Sequence, residues 1–256
     1  MIGAIIGDIA GSRFEFNNTK SADFDLLTND CFFTDDTVCT VAIADALMNP
    51  KNYANSYANA VVKYCRQYPG RGYGGMFARW ITSPVPYNSF GNGAVMRISA
   101  IPLLCRNLTA VHIETNAATE ISHNHPDGLL YADVVSVCIF NLKNGMPKQQ
   151  ALEQALLNIG LDEMPEFEDY KNPFDETVYN CVPAALYCLQ ESTDFESAIR
   201  KAIIIGGDVD TIGACVGGMA EALYGVSRDL FERAMSYLPD QMKSVINQFY
   251  AKYEKE

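Results

Sequence analysis

The chain has 256 residues, 48% of them hydrophobic and 11% aromatic, and its 31 acidic against 19 basic residues leave a formal charge of -12. That apolar content supports a sizeable core and excludes a disordered protein. The acidic balance argues against nucleic acid or an anionic membrane as partner, since both are gripped through Lys and Arg, but a small phosphorylated ligand stays open if something locally positive meets its phosphates.

Helical spacing dominates from the start. Residues 2–12 place Gly3, Gly7 and Gly11 four apart, which predicts a helix with one bare face suited to close packing. The apolar run 36–48 predicts a second helix, followed by Pro50. Tyr and Ala at helical spacing predict a third over 52–67. Further helices are expected at 74–82, 93–106, 108–121, 128–143, 147–160, 176–191, 194–203, 211–224, 227–237 and 239–254, with Pro102 and Pro183 bending or breaking theirs. The Ile run before Gly206 is the best strand candidate, yet it continues the period of "FESAIRKAIII" and reads as a helix ending at Gly206. The acidic, proline-containing stretch 162–177 reads as a solvated loop. One all-α domain over 1–256 is the expectation.

The eight cysteines form no Cys-x-x-Cys pair and several fall inside apolar helical patterns. They read as small buried hydrophobes in a reduced, cytoplasmic protein, without zinc. The start is apolar but has no basic leader and carries Asp8, a poor signal peptide. No charge-free apolar stretch of about 18 residues suggests a membrane span.

Two acidic clusters stand out. "FFTDDTVCT" (32–40) sets Thr34, Asp35 and Asp36 at the head of an apolar helix, and "GGDVDTIGA" (206–214) sets Asp208, Asp210 and Thr211 at another. Either alone is explained by helix capping, because Asp and Thr accept from free first-turn N–H groups and the helix dipole favours negative charge there. If both helix starts converge, with Gly206 and Gly207 permitting close approach, four carboxylates meet in one place. Each like-charge pair at about 4 Å costs on the order of 1 kcal/mol in water and about 4 kcal/mol at an effective dielectric of 20. Helix dipoles, at roughly 0.3–1 kcal/mol per contact, do not offset that. Divalent cations do, and hard oxygen ligands suit Mg²⁺, or Mn²⁺, rather than Zn²⁺. Four carboxylates match the charge of two such ions.

The chain resembles the ADP-ribosylglycohydrolases, including the dinitrogenase-reductase-activating type. The resemblance runs in order through "GAIIGDIAGSRFEF", "FTDDT", "YPGRGYGG", "NSFGNGAVMR", "SHNHPDG" and "GGDVDTIGA". It implies a compact, orthogonal multi-helix domain and hydrolysis of the C1″ bond of ADP-ribosyl conjugates, with ADP-ribose or an ADP-ribosylated protein as partner. It also implies that Thr34, Asp35, Asp36, Asp208, Asp210 and Thr211 hold two Mg²⁺ ions. Ser89, Gly91, Asn92 and Gly93 become a pyrophosphate cradle, Phe90 a stacking partner for adenine, and His123 a contact to ribose or phosphate. Glu15, read from the residues alone as a solvent-facing Glu between two buried Phe, becomes a catalytic candidate beside Asp35 and Asp210. Arg71, Tyr73, Arg97 and His125 keep no assigned role; Arg97 is equally placed for a structural ion pair or the ligand. Family frequency slightly favours arginine-linked substrates. A hydrolase of O-acetyl-ADP-ribose or another ADP-ribose-containing small molecule, or a non-catalytic ADP-ribose binder, remain alternatives.

Overall fold

The computed structural model describes residues 1–19, 21–54, 56–168 and 172–253. Among them the helices are α1 (Ile2–Gly11), α2 (Asp35–Met48), α3 (Tyr57–Gln67), α4 (Gly75–Thr82), α5 (Ala100–Leu104), α6 (Leu108–Thr119) and α7 (Pro126–Lys143). They continue as α8 (Lys148–Asn158), α9 (Val178–Gln190), α10 (Phe195–Ile205), α11 (Val209–Tyr224), α12 (Arg228–Ser236) and α13 (Asp240–Tyr253). The described residues contain no strand, only an isolated bridge between Gly91 and Thr177. The fold is all-α, as expected.

All ten residues of α1 are buried. Ile2, Ile5, Ile6 and Ile9 are at most 1% exposed, and each such side chain contributes about 1.5–3 kcal/mol relative to exposure. The glycine face of α1 lies on α11. A Cβ on Gly7 would sit 2.0 Å from the Gly213 carbonyl oxygen, and one on Gly3 would sit 2.2 Å from that of Gly217. Two backbones in direct contact leave no room for any side chain larger than hydrogen. This seam sets the register of α1 on α11, and α10, α9 and α7 pack around α11 in turn. One continuous hydrophobic core runs from Met1 to Phe249.

The Ile run belongs to α10, which ends at Gly206 with φ 86°. The predicted helix 93–106 is broken. A 3-10 turn at Asn92–Ala94 is followed by turn residues, and α5 begins only at Ala100. Pro102 therefore falls in the first turn of a new helix, where its missing N–H removes no helical bond. Pro183, by contrast, lies inside α9 without ending it. The predicted helix 52–67 divides into a 3-10 turn (Pro50–Tyr53) and α3, because Ala54 takes a left-handed conformation at φ 52°. Helix α7 starts two residues early, with Pro126 in its first turn and His125 as N-cap. Asn55, Glu254 and residues 169–171 of the predicted loop lie outside the described residues. All eight cysteines are buried and free of disulfides. No helix among the described residues is long and apolar enough to cross a membrane.

Candidate active site

The starts of α2 and α11 face one another. Thr34 caps α2 in an extended conformation, its hydroxyl oxygen accepting from the Asp36 N–H at 3.4 Å. The Thr34 hydroxyl donates to Asp8 Oδ1 at 2.7 Å. Asp8 Oδ2 accepts from the N–H groups of Thr34 (3.0 Å) and Thr37 (3.1 Å) and from the Thr37 hydroxyl. One carboxylate buried in α1 thus ties down the first turn of α2. Opposite, the Gly206–Gly207 turn delivers the chain into α11 with both φ angles positive, 86° and 84°. A Cβ on Gly207 would lie 2.7 Å from the Pro173 carbonyl oxygen.

Asp208 occupies the N-cap of α11 but its side chain makes no capping bond. Instead Asp208 Oδ2 accepts from Asn92 Nδ2 at 2.7 Å. Helix capping therefore does not account for this residue. The Thr211 hydroxyl donates to Asp36 Oδ2 at 3.1 Å, joining the two clusters directly. Thr34, Asp36, Asp208, Asp210 and Thr211 are only 2–6% exposed.

Carboxylate oxygens gather in two groups, Asp8, Asp36 and Asp210 in one and Glu15, Asp208 and Asp210 in the other, each with its oxygens within 4.8 Å of one another. Asp210 belongs to both. The grouping differs from the one drawn from sequence. Asp35 lines the cavity but joins neither group, Glu15 enters the second, and Asp8 was not singled out at all. With four donors already on its two oxygens, Asp8 is a brace for Thr34 and Thr37, which leaves Asp36 and Asp210 as the less committed pair of the first group. The one sequence signal for Asp8 was a charge inside an otherwise apolar helix.

Crowding these groups has the expected cost. Burial, then the charges of Asp208, Asp8 and Glu176, push the Glu15 carboxyl up to about 7, against the pull of its hydrogen bond with Asp210. Burial followed by the Asp8 charge pushes Asp35 up to about 8. Asp36 rises well above the carboxylate range through burial and the charges of Asp8, Asp35 and Asp208. Asp210 does so through burial and the charges of Asp208 and Asp36. A site that favours protonated carboxyls in this way is one where a cation replaces the proton profitably. The donors are carboxylate and hydroxyl oxygens without Cys or His, which fits a hard divalent ion.

The acidic groups open into a cavity of about 270 Å³ lined also by Gly72, Gly74, Gly75, Ser89, Gly91, Asn92, Gly93 and His123. Phe90 does not line it. That ring is 41% exposed and lies beside His125 and Tyr179, with centroids 5.2 and 5.6 Å away. Several backbone donors of the 89–95 segment are already engaged. Gly91 N–H goes to Ser89 Oγ (3.1 Å), Asn92 N–H to the Glu176 carbonyl (2.7 Å) and Ala94 N–H to the Gly91 carbonyl (3.1 Å). The Asn92 side chain is likewise turned to Asp208.

Arg71 and Tyr73 serve the scaffold. Arg71 Nη1 donates to the Phe33 carbonyl at 3.1 Å with its guanidinium 3.7 Å from the Phe33 ring centroid, and the Tyr73 hydroxyl donates to the Tyr68 carbonyl at 2.7 Å. His125 orders its loop, accepting from Asp127 N–H at 3.2 Å. Arg97 is fully buried and donates only to neutral oxygens, those of Ala118, Thr119 and Ser122.

An all-helical scaffold holds a buried, oxygen-rich acidic centre that could take a metal ion under a small cavity, in keeping with the family the ordered motifs resemble. The sequence profile of the ADP-ribosylglycohydrolase family matches residues 1–256, and the chain belongs to that family of glycohydrolase enzymes. The ADP-ribosylarginine hydrolase Tri1 of Pseudomonas putida (strain GB-1) is 24% identical over 261 residues, covering 89% of this chain and 70% of the relative. The ADP-ribosyl-(dinitrogen reductase) glycohydrolase of Rhodospirillum rubrum is 27% identical over 146 residues, 57% of this chain and 50% of the relative. The human (Homo sapiens) ADP-ribosylhydrolase ARH3 is 22% identical, covering 89% of this chain and 85% of its own length. A solved ADP-ribosylglycohydrolase-related protein complex shares the fold at a TM-score of 0.75 and 21% identity, over 98% of this chain and 95% of the other.

Proposed function

We propose that the protein hydrolyses the C1″ glycosidic bond of ADP-ribosyl conjugates in a Mg²⁺-dependent reaction, releasing ADP-ribose, with arginine-linked conjugates preferred. The observation that carries this reading is the meeting of Thr34 and Asp36 with Asp208, Asp210 and Thr211 beneath one cavity, with Glu15 beside Asp208 and Asp210. The arginine preference rests on relatives named ADP-ribosylarginine hydrolases.

Thr34, Asp35, Asp36, Asp208, Asp210 and Thr211 would hold two Mg²⁺ ions, for which Mn²⁺ can substitute. Bound there, the ions supply positive charge that orients the vicinal hydroxyls of the distal ribose and acidifies a water. The presence of Asp210 in both carboxylate groups supports a central role for it in holding the ions. Glu15 lines the cavity beside the cluster, where its carboxylate can take a proton from the attacking water and pass it to the departing nitrogen of the arginine linkage. The cavity, at about 270 Å³, falls just below the roughly 300–1,000 Å³ typical of ligand sites. It takes a ribose and adjacent phosphate and leaves the adenine outside, where the exposed Phe90 ring offers a stacking face. His123 and Ser89 offer polar contacts to the phosphates.

The test is release of ADP-ribose from arginine-linked and serine-linked ADP-ribosylated substrates and from O-acetyl-ADP-ribose, with and without Mg²⁺, products read by mass spectrometry. The reading requires Mg²⁺-dependent release, fastest from the arginine linkage. No release from any of the three with Mg²⁺ present would contradict it.

A further inference from the structure

Arg97, Ser122 and His123 form a buried polar chain that ends at the cavity. Arg97 Nη2 donates to Ser122 Oγ at 2.8 Å, and Ser122 Oγ lies 2.8 Å from His123 Nδ1. Arg97 and Ser122 are fully buried and His123 is 4% exposed. A guanidinium has no lone pair to offer, so Ser122 must accept from Arg97. Its own hydroxyl proton then needs an acceptor. Among the described residues the one acceptor that meets Ser122 Oγ is His123 Nδ1. Nδ1 therefore carries the lone pair and the ring proton sits on Nε2. Burial and the positive charge of Arg97 push the imidazole pKa well down, so the ring is neutral and the choice of tautomer decides what it shows the cavity.

Nε2 has no hydrogen-bond partner among the described residues. It lies against the glycines of the predicted phosphate cradle, 2.9 Å from where a Cβ on Gly93 would stand and 3.6 Å from the equivalent point at Gly91. The amides of Gly91, Asn92 and Ala94 are already engaged. The cradle has thus committed two of its four amides, and six carboxylates line the cavity around it. An Nε2–H there attracts a phosphate oxygen, whereas the other tautomer would point a lone pair at it.

We propose that Arg97 and Ser122 are positioning residues that fix His123 as the Nε2–H tautomer, making it a hydrogen-bond donor to a phosphate oxygen of the ligand. The ligand part rests on the ADP-ribose reading above; the tautomer part does not. Arg97 acts on the imidazole through Ser122.

The experiment compares wild type with Ser122→Ala and Ser122→Thr, using ¹⁵N chemical shifts of the His123 ring, assigned with His123→Gln, and calorimetric titration of ADP-ribose in excess Mg²⁺. Wild type should show a protonated Nε2 and an unprotonated Nδ1. Ser122→Ala should lose that fixed pattern and bind ADP-ribose about tenfold more weakly, the loss of one net hydrogen bond, with Mn²⁺ affinity unchanged. Ser122→Thr, which keeps the hydroxyl, should restore both. In turnover the Ala variant should raise KM and leave kcat alone. A protonated Nδ1 in wild type, or a Ser122→Ala protein with unaltered ring shifts and ADP-ribose affinity, overturns the proposal. Wild type with the expected shifts but no binding of ADP-ribose overturns the functional reading and the ligand role of His123, while the tautomer assignment stands.

Discussion

The hydroxyl of Thr211 donates to Asp36 Oδ2 at 3.1 Å, so two residues 175 positions apart in the chain close the acidic centre. The bond joins the first turn of α11 to the first turn of α2. Each turn is positioned independently, α2 by Asp8 from α1 and α11 by the glycine seam it shares with α1. Helix α1 is therefore the common reference for both halves of the site.

The role of Asp8 can be tested by removal. Asp8→Ala leaves four donors of Thr34 and Thr37 without their acceptor in a buried place. At about 1–3 kcal/mol for a buried group left unsatisfied, the variant should lose roughly 3 kcal/mol or more of unfolding free energy. Chemical denaturation measures this, and a loss under about 1 kcal/mol would show that α2 is held by something else.

Gly7→Ala should be more damaging than its size suggests. The added methyl would lie 2.0 Å from the Gly213 carbonyl oxygen, and neither backbone can step aside without parting α1 from α11. Overpacking typically costs about 1–3 kcal/mol, and rigid backbone on both sides puts this case at or above the upper end. Gly75→Ala, where nothing lies within 4 Å, should leave the melting temperature unchanged. Thermal melts of the two variants make the comparison.

Metal-free protein should become less stable as pH rises. Folding raises Glu15 from 4.5 to about 7 and Asp35 from 3.8 to about 8. Between those limits the native state binds more protons than the unfolded chain, so stability is greatest near pH 4–5 and falls toward pH 8. Each kcal/mol lost lowers the melting temperature by about 2–4 °C in a chain of this size. Saturating Mg²⁺ should restore most at high pH, where the carboxylates are ionised. Melts from pH 5 to 8 with chelator and with Mg²⁺ decide it; a chelated protein that gains stability toward pH 8 would falsify the electrostatic account.

Asn92 should matter to the metal site more than to the phosphate cradle. Its side chain is spent on Asp208, so Asn92→Ala frees that carboxylate to turn away. Loss of such a supporting bond commonly weakens metal affinity by about 10- to 100-fold. Mn²⁺ titration followed by electron paramagnetic resonance measures it, and an unchanged affinity would return Asn92 to the cradle.

Much of the fold was legible because helical period and capping are local. The spacing of the Ile run before Gly206 predicts a helix, and α10 ends there. What the sequence hid is what depends on distant partners. Residues 93–106 carry a mostly apolar helical pattern in which Pro102 marks the expected break, yet the chain turns earlier, at 95–99, before Pro102 enters α5. Asp8 looked like a stray charge in an apolar helix because the groups it serves, at Thr34 and Thr37, are 26 and 29 residues away. The two acidic clusters were legible as residue types; the glycine spacing of α1 announces a close-packing face but not its partner α11, whose contact brings Asp210 beside Asp8. The partner of the Asn92 amide was hidden for the same reason, since the Glu176 carbonyl that accepts from it comes from another part of the chain.

The most direct test of the central claim is an anomalous difference map from crystals grown with Mn²⁺, paired with Mn²⁺ titration of wild type and Asp210→Ala. The account predicts two peaks in direct contact with the carboxylates of Asp36, Asp208 and Asp210, and an Asp210→Ala protein that keeps its helicity but loses both ions and turnover. Ions bound elsewhere, or an Asp210→Ala variant that binds Mn²⁺ and releases ADP-ribose at the wild-type rate, would contradict it.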